Sequence, residues 1–204
     1  STRCARLRMA LALAVSSAVA TATTAAGVSA AEARLIEKQF TLPPGFSIRL
    51  VAAEPDIANP MTMCVDAAGH LFVTEAHTYR WGPKASPYQP PTNPIKRIEL
   101  GPDGRAVRSI VAAQGFAEPV IGVFAREGKV YADCLNELFV MDVQPDGTLA
   151  NRKLLVKDDA VPWNPFGFYR VQVGPDDKLW LCIADHPASL PVTLTGSDGR
   201  KLQL

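Results

Sequence analysis

The sequence has few cysteines, and none lies in a redox or haem-attachment motif. The four are Cys4, Cys64, Cys134 and Cys182, and no two have the Cys-x-x-Cys spacing. This excludes a disulfide-dense scaffold and a covalent c-type haem site within the chain. The last three lie within or at the end of apolar runs, which is typical of buried thiols. A Cys134–Cys182 bridge is the alternative in an oxidising compartment.

The sequence also lacks an excess of charge of either sign. Lys and Arg number 21 against 20 Asp and Glu, which gives a formal net charge of +1. Binding to nucleic acid depends on a basic excess that neutralises phosphates. We therefore expect no nucleic-acid partner.

Long hydrophobic runs are confined to the first thirty residues, which have the layout of a secretory signal. Arg3, Arg6 and Arg8 precede a short apolar core at 9–15, and small residues follow as far as Ala30. The alternative is a transmembrane helix, but the core is too short for one. We expect residues 1–30 to be a signal peptide and the mature protein to be periplasmic or at the cell surface.

Proline and glycine are plentiful, at 17 and 14 residues, and they separate short apolar runs. A pattern of alternating apolar run, turn and second apolar run occurs three times, at 61–75, 120–134 and 169–183. The first two units continue with two more strands around the turns at 101–104 and 144–147, which recur about 43 residues apart. Four short strands at this period are typical of a β-propeller blade.

We therefore predict an all-β fold, the N-terminal part of a β-propeller, over residues 40–204. It has about three four-stranded blades, near 60–118, 119–161 and 162–204, and the last is incomplete. A further strand is predicted from Phe46 to Ala52. The alternation predicts these buried positions: Met61, Met63, Val65, Leu71, Val73, Phe124, Val130, Val171, Val173 and Leu179.

Polar residues follow the second strand of each unit. When the units are aligned on Leu71, Val130 and Leu179, the residue six positions later is polar in all three, and the loops there open on one face. The alternative is that these side chains cap strand ends. The same alignment places His70 in a solvated turn. The candidate site residues are His77, Asn136, Asp185, Glu75, Arg80, His186, Trp81 and Trp163.

Three stretches resemble a known family. FTLPPGFSIRLV at 40–51 and NPMTMCVDAAGHLFVTEA at 59–76 resemble the opening of sugar/sorbosone dehydrogenase-like propellers. They are most similar to the membrane-bound dehydrogenase region of planctomycete-type haem-binding proteins. VGPDDKLWLCIAD at 173–185 resembles a strand of the same superfamily. The resemblance covers residues 40–204 and implies a sugar-like substrate, PQQ and calcium as possible cofactors, and haem c in a downstream cytochrome c module.

One departure from the related pattern bears on activity. Soluble quinoprotein glucose dehydrogenases have a general-base His eight residues before the Gly of the Gly-Pro-Asp turn, where this chain has Phe166. His77 and His186 are the remaining candidate bases, with Glu75 or Asp185 to orient them. Two hypotheses follow: a dehydrogenase acting on sugar-like alcohols or aldehydes, and a non-catalytic propeller that binds glycans or a protein.

Overall fold

The computed structural model describes residues 23–24, 29–79, 81–158, 168–173, 179–183, 193–196 and 201–203, with side chains described over 29–79 and 81–157. The helices are α1 (Ala30–Glu37) and α2 (Gly82–Ala85). The strands are β1 (Thr23–Thr24), β2 (Pro60–Val65), β3 (Leu71–Glu75), β4 (Ile95–Leu100), β5 (Ala106–Ala113), β6 (Val120–Arg126), β7 (Lys129–Cys134), β8 (Glu137–Val143), β9 (Leu149–Asp158), β10 (Phe168–Val173), β11 (Leu179–Ile183), β12 (Thr193–Gly196) and β13 (Lys201–Gln203).

The protein is all-β, and its strands form antiparallel meanders of the kind that make propeller blades. Strands β2 to β5 pair in sequence as the first blade, and β6 to β9 as the second. The β10–β11 hairpin lies against β6, so successive inner strands are neighbours. All three predicted hairpins are confirmed. The described sheets do not close into a ring.

The core lies between the first two blades. Phe72 and Ile95 of the first blade pack with Val120, Val130 and other buried side chains of the second. The facing surfaces of these two blades therefore carry apolar residues, because each surface packs against the other blade.

The three inner strands share an irregularity at one register. The pairing shifts by one residue between Pro60 and Thr62 in β2, between Val120 and Gly122 in β6, and between Phe168 and Arg170 in β10. Such a bulge leaves backbone groups without ladder partners and bends the strand. The residues opposite the bulges in the second strands are Thr74, Asp133 and Cys182.

The predicted burial is confirmed on β3 and wrong on β2. Leu71 and Val73 are buried, but Met61, Met63 and Val65 are 38%, 65% and 56% exposed. The other face of β2 packs on the second blade, with Cys64 against the main core. The exposed face points away from the second blade, and alternation alone does not tell which face has a neighbour.

Of the remaining buried positions, Val130 is confirmed and Phe124 is half-buried against a smaller cluster around Leu138. Val171, Val173 and Leu179 lie in strands whose side chains are outside the described residues.

The strand predicted from Phe46 to Ala52 does not form. This segment is extended but outside the sheets, and it is attached to the first blade through Arg105. The Arg105 guanidinium donates to the Leu50 carbonyl at 2.8 Å and to Glu37 Oε1 at 2.7 Å, while the Ala106 amide donates to Val51 O at 2.9 Å. Side-chain hydrogen bonds and one backbone hydrogen bond hold the segment in place of a strand ladder.

The two helices and the pairings of β1, β12 and β13 were not predicted. The β12–β13 hairpin pairs with β9 of the second blade, and β1 pairs with β5. Helix α1 begins at a capping box in which Ser29 accepts from the Glu32 amide and Glu32 accepts from the Ser29 amide. In the described part of the chain, no helix has the length and apolar character that a membrane crossing requires.

The turn between β8 and β9 places a glycine against a buried arginine. Gly147 has φ +90°, and an added Cβ would collide with the Arg97 guanidinium, which is buried and paired with Glu99. We expect Gly147→Ala to lower the free energy of unfolding by about 2 kcal/mol or more, from backbone strain and the displaced arginine. Chemical denaturation measures the change.

The matched control is Gly128→Ala, because Gly128 has φ +72° and open space around its Cβ position. It reports the cost of positive φ alone, so we expect it to be less destabilising than Gly147→Ala. Equal costs at the two sites would show that Arg97 imposes no constraint.

Candidate functional site

A buried carboxylate stands at the end of β3. Glu75 is 1% exposed and pairs with Pro60 across the first hairpin. The residues at the same register in the next hairpins are Cys134 and Ile183. A charged side chain has therefore replaced an apolar one at this position. Burial of a charge is costly unless it is paired and hydrogen-bonded.

Glu75 has a partner for each carboxylate oxygen. Oε1 accepts from the Ala58 amide at 2.8 Å and lies 3.0 Å from Lys96 Nζ. Oε2 lies 2.9 Å from His77 Nε2. A carboxylate only accepts, so the hydrogen on this bond belongs to Nε2 of the imidazole.

This assignment leaves His77 Nδ1 as an acceptor with a lone pair. Nδ1 is buried and has no hydrogen-bond partner, while the side chain as a whole is 13% exposed. An unsatisfied buried acceptor costs about 1–3 kcal/mol. Such exceptions in an otherwise paired structure mark candidate sites for a ligand or for proton transfer.

The backbone around His77 is fixed by hydrogen bonds from neighbouring loops. Asn59 donates to Ala76 O at 2.7 Å, and the Ser86 hydroxyl donates to His77 O. Asn93, which is fully buried, accepts from the Thr78 amide at 3.0 Å. The backbone that carries the imidazole is thereby held on both sides of His77 along the chain.

An aromatic pair covers the imidazole. The Tyr88 ring stacks on His77 with centroids 4.7 Å apart, and Trp81 meets Tyr88 edge-on at 6.2 Å. The Tyr88 hydroxyl donates to Glu54 Oε1 at 3.4 Å. Burial, and then the Glu54 carboxylate, raise the pKa of Tyr88.

Of the candidate site residues, the structure brings Glu75 and His77 into contact, and Trp81 meets the Tyr88 ring that stacks on His77. Asn136 lies in the two-residue turn between β7 and β8, beside Leu135 with φ 57°. His70 lies in the β2–β3 turn with Nδ1 3.0 Å from Asp66 Oδ2, away from the strand end that bears His77. The following lie outside the described residues: Arg80, Trp163, Phe166, Asp185 and His186.

Lys96 and Tyr88 belong to the site but were not predicted from the sequence. Lys96 is the second residue of β4 and pairs with Val73, so it is a diagonal neighbour of Glu75 on one face. The sequence signal that could have identified Lys96 is a lysine on the apolar face of a predicted strand. For Tyr88, within a Pro-rich loop without periodicity, the sequence offers no signal.

A second buried carboxylate lies in the second blade, outside this site. Asp133 is fully buried; its Oδ1 accepts from the Gly122 amide at 2.8 Å, and Oδ2 has no partner in the described part of the chain. Burial raises the pKa of Asp133 to about 7, partly offset by hydrogen bonds from the Gly122 and Ile121 amides.

The described thiols are free, as expected for core cysteines. Cys64 and Cys134 form no disulfide, so the Cys134–Cys182 bridge is not present. Burial raises the pKa of Cys64 to about 12 and that of Cys134 to about 11, which favours the thiol over the nucleophilic thiolate.

The described residues do not fit a PQQ–calcium site. No three His, Cys, Asp or Glu side chains among them converge as metal ligands. The cation at the candidate site, Lys96, is already paired with Glu75. The described residues therefore do not form the oxygen cluster that calcium prefers, and the cation in contact with Glu75 is already paired.

Comparison with known proteins assigns the chain to a family without a known activity. Residues 32–198 match the model of the family described as "Domain of unknown function (DUF7133)". The chain belongs to the DUF7133 family. No curated protein matches this DUF7133 chain.

Three solved chains match it, among them the holo form of the pyranose dehydrogenase PQQ domain from Coprinopsis cinerea. That domain is 16% identical with a TM-score of 0.49; the match covers 70% of the DUF7133 chain and 34% of the other. The DUF7133 chain thus spans about a third of that solved chain.

Proposed function

We propose that this DUF7133 chain bears the proton-accepting site of an exported dehydrogenase that acts on sugar-like alcohols or aldehydes. The observation that carries the proposal is His77, whose Nε2 is bound to a buried carboxylate at 2.9 Å and whose Nδ1 is buried without a partner. A positioned imidazole with a free lone pair is what general-base catalysis requires. The resemblance of residues 40–204 to sugar/sorbosone dehydrogenase-like propellers gives the reaction class.

The chemistry of the site covers one half of the oxidation. His77 Nδ1 accepts the proton of a substrate hydroxyl, and Glu75 stabilises the imidazolium that forms. The C–O single bond becomes a double bond as the hydrogen on carbon leaves with its electron pair. In the test below, that pair passes to an added quinone or dye.

The remaining parts of the proposal concern the whole protein. PQQ and calcium, if used, would be held by residues other than those described, and no step is assigned to them. A downstream cytochrome c module carrying haem c is the proposed electron partner.

Export rests on Arg8, the apolar core and the small residues up to Ala30. N-terminal sequencing of the periplasmic or surface protein should find residues 1–30 removed, and retention of the apolar core would reject cleavage.

The test of activity is reduction of a quinone or dye by the purified protein, with a panel of aldoses and alcohols and with PQQ, calcium and haem supplied. Substrate-dependent reduction is the expected result. Its absence across the panel would overturn the dehydrogenase function.

The second candidate is a propeller that binds glycans or a protein without catalysis, and the Tyr88–Trp81 pair favours it. Trp81 is 42% exposed beside the stacked Tyr88 ring. Exposed aromatic rings present large apolar faces with a polar edge, which suits the flat faces of sugars. Calorimetry with a glycan panel, repeated with Trp81→Ala, tests this candidate. Binding that is lost in the variant, without dye reduction by the wild type, would establish it over the first.

A further inference from the structure

Lys96 is a cation enclosed within the site. Its side chain is 15% exposed, with Nζ 3.0 Å from Glu75 Oε1 and 2.7 Å from the Asp56 carbonyl oxygen. Lysines are rarely this buried unless paired. Lys96 is held by strand β4 on one side and by the segment preceding β2 on the other.

The carboxylate of Glu75 lies between Lys96 and His77, and this order decides how charge is distributed. The ammonium meets Oε1 and the imidazole meets Oε2. The ammonium and the carboxylate together have no net charge, so the pair does not require a second cation beside it. A neutral imidazole that donates from Nε2 has its lone pair on Nδ1, and this atom has no partner in the described part of the chain.

We propose that Lys96 is the positioning residue that keeps His77 in the neutral, proton-accepting form. Without the ammonium, Glu75 would be a buried carboxylate with no cation beside it, and protonation of His77 would supply one, because an isolated buried charge is costly. An imidazolium donates from both nitrogens and accepts at neither. Lys96 therefore preserves the lone pair on which the proposed function rests, although it touches no substrate.

The other groups facing His77 do not supply this compensation. Tyr88 stacks on the ring from the loop, and its hydroxyl binds the Glu54 carboxylate. Asp56 reaches Lys96 through its backbone carbonyl. The one cation in contact with Glu75 in the described part of the chain, besides a protonated His77, is Lys96.

The test reads the protonation of His77 directly by ¹⁵N NMR at pH 7, without requiring turnover. Lys96→Gln removes the charge but keeps an N–H donor, so we expect the imidazolium fraction to rise about threefold or more. Lys96→Arg keeps the charge, and we expect little change. Lys129→Gln removes a surface lysine paired with Asp142 at 2.6 Å and should leave His77 unchanged.

The double variant Glu75→Gln with Lys96→Gln removes the two opposite charges together and should restore the neutral imidazole. If Lys96→Gln alone does not fold, the double variant still tests the proposal, because it leaves no buried charge without a partner. An imidazolium in the folded double variant would overturn the proposal. A neutral His77 in folded Lys96→Gln would overturn it as well. The NMR readouts do not depend on turnover. A lack of dehydrogenase activity would therefore contradict the proposed function without deciding whether Lys96 controls the protonation of His77.

Discussion

Replacing His77 with glutamine is expected to lower substrate-dependent dye reduction about 10²–10⁴-fold, the usual effect of removing a general base. Glutamine can still donate to Glu75, so the buried carboxylate keeps its partner while the Nδ1 lone pair is lost. The effect should fall on kcat, because proton transfer occurs in the transition state. Steady-state kinetics across the aldose and alcohol panel measures it.

His70→Gln is the matched control, because His70 also lies 3.0 Å from a carboxylate, that of Asp66, but in the turn at the opposite end of β3. We expect unchanged turnover there, with both variants retaining the wild-type melting temperature within a few degrees. Full activity of His77→Gln would contradict the assignment and transfer the role of the base to His186.

The strand order of the first two blades could be predicted from the sequence because local signals agree with one another. Each hairpin turn carries a residue suited to its geometry, such as Gly69 with φ +85° and Gly104 with φ +75°. The apolar runs on either side have period two, which fixes the register. The hairpins therefore form where the pattern predicts them.

Burial could not be predicted as well, because it depends on which face has a neighbour. Met63 and Val73 are opposite one another on the same face, yet Met63 is 65% exposed and Val73 is 3% exposed. Val73 is covered by Val51, Ala52 and Ile57 of the segment before β2. That segment reads as a strand in sequence, and only its tertiary contacts with Arg105 and Glu37 determine that it packs across the blade instead.

In the candidate site, too, the local contacts could be predicted from the sequence and the long-range contacts could not. Glu75 and His77 are two residues apart at a strand end, so their proximity and the 2.9 Å contact between them follow from local sequence. Lys96 and Tyr88 are 21 and 13 residues from Glu75 in sequence. Their contribution depends on strand pairing and on the conformation of a long loop, which no local pattern encodes.

Asp133 is the residue whose titration should dominate the pH dependence of stability. It occupies the register at which Thr74 supports the bulge of the first blade, where Thr74 Oγ1 accepts from the Thr62 amide at 3.2 Å. In the second blade the Asp133 carboxyl accepts from the Gly122 amide instead. A hydroxyl satisfies one such amide without charge, whereas the carboxylate brings a buried oxygen, Oδ2, that has no partner in the described part of the chain.

The pKa of Asp133 in the folded protein, about 7, lies above its ordinary value of 3.8. Between these values the folded protein holds a proton that the unfolded chain has released, so the free energy of unfolding falls as pH rises from about 4 to about 7. The contribution is complete below the unfolded value and lost above the folded one. Its upper bound is about 4 kcal/mol.

Asp133→Thr, which introduces the residue that the first blade has at this register, is therefore expected to remove most of this decline and to be more stable than the wild type at pH 8 by about 1–3 kcal/mol. Asp142→Asn provides a control of opposite sign. Hydrogen bonds from Lys129 and Asn151 lower the pKa of Asp142, so its stabilisation is lost as pH falls. Denaturant titrations from pH 4 to 8 measure the free energy of unfolding of both variants. If that free energy rises steadily with pH in the wild type, and does so equally in Asp133→Thr, Asp133 is ionised in the folded protein at no cost.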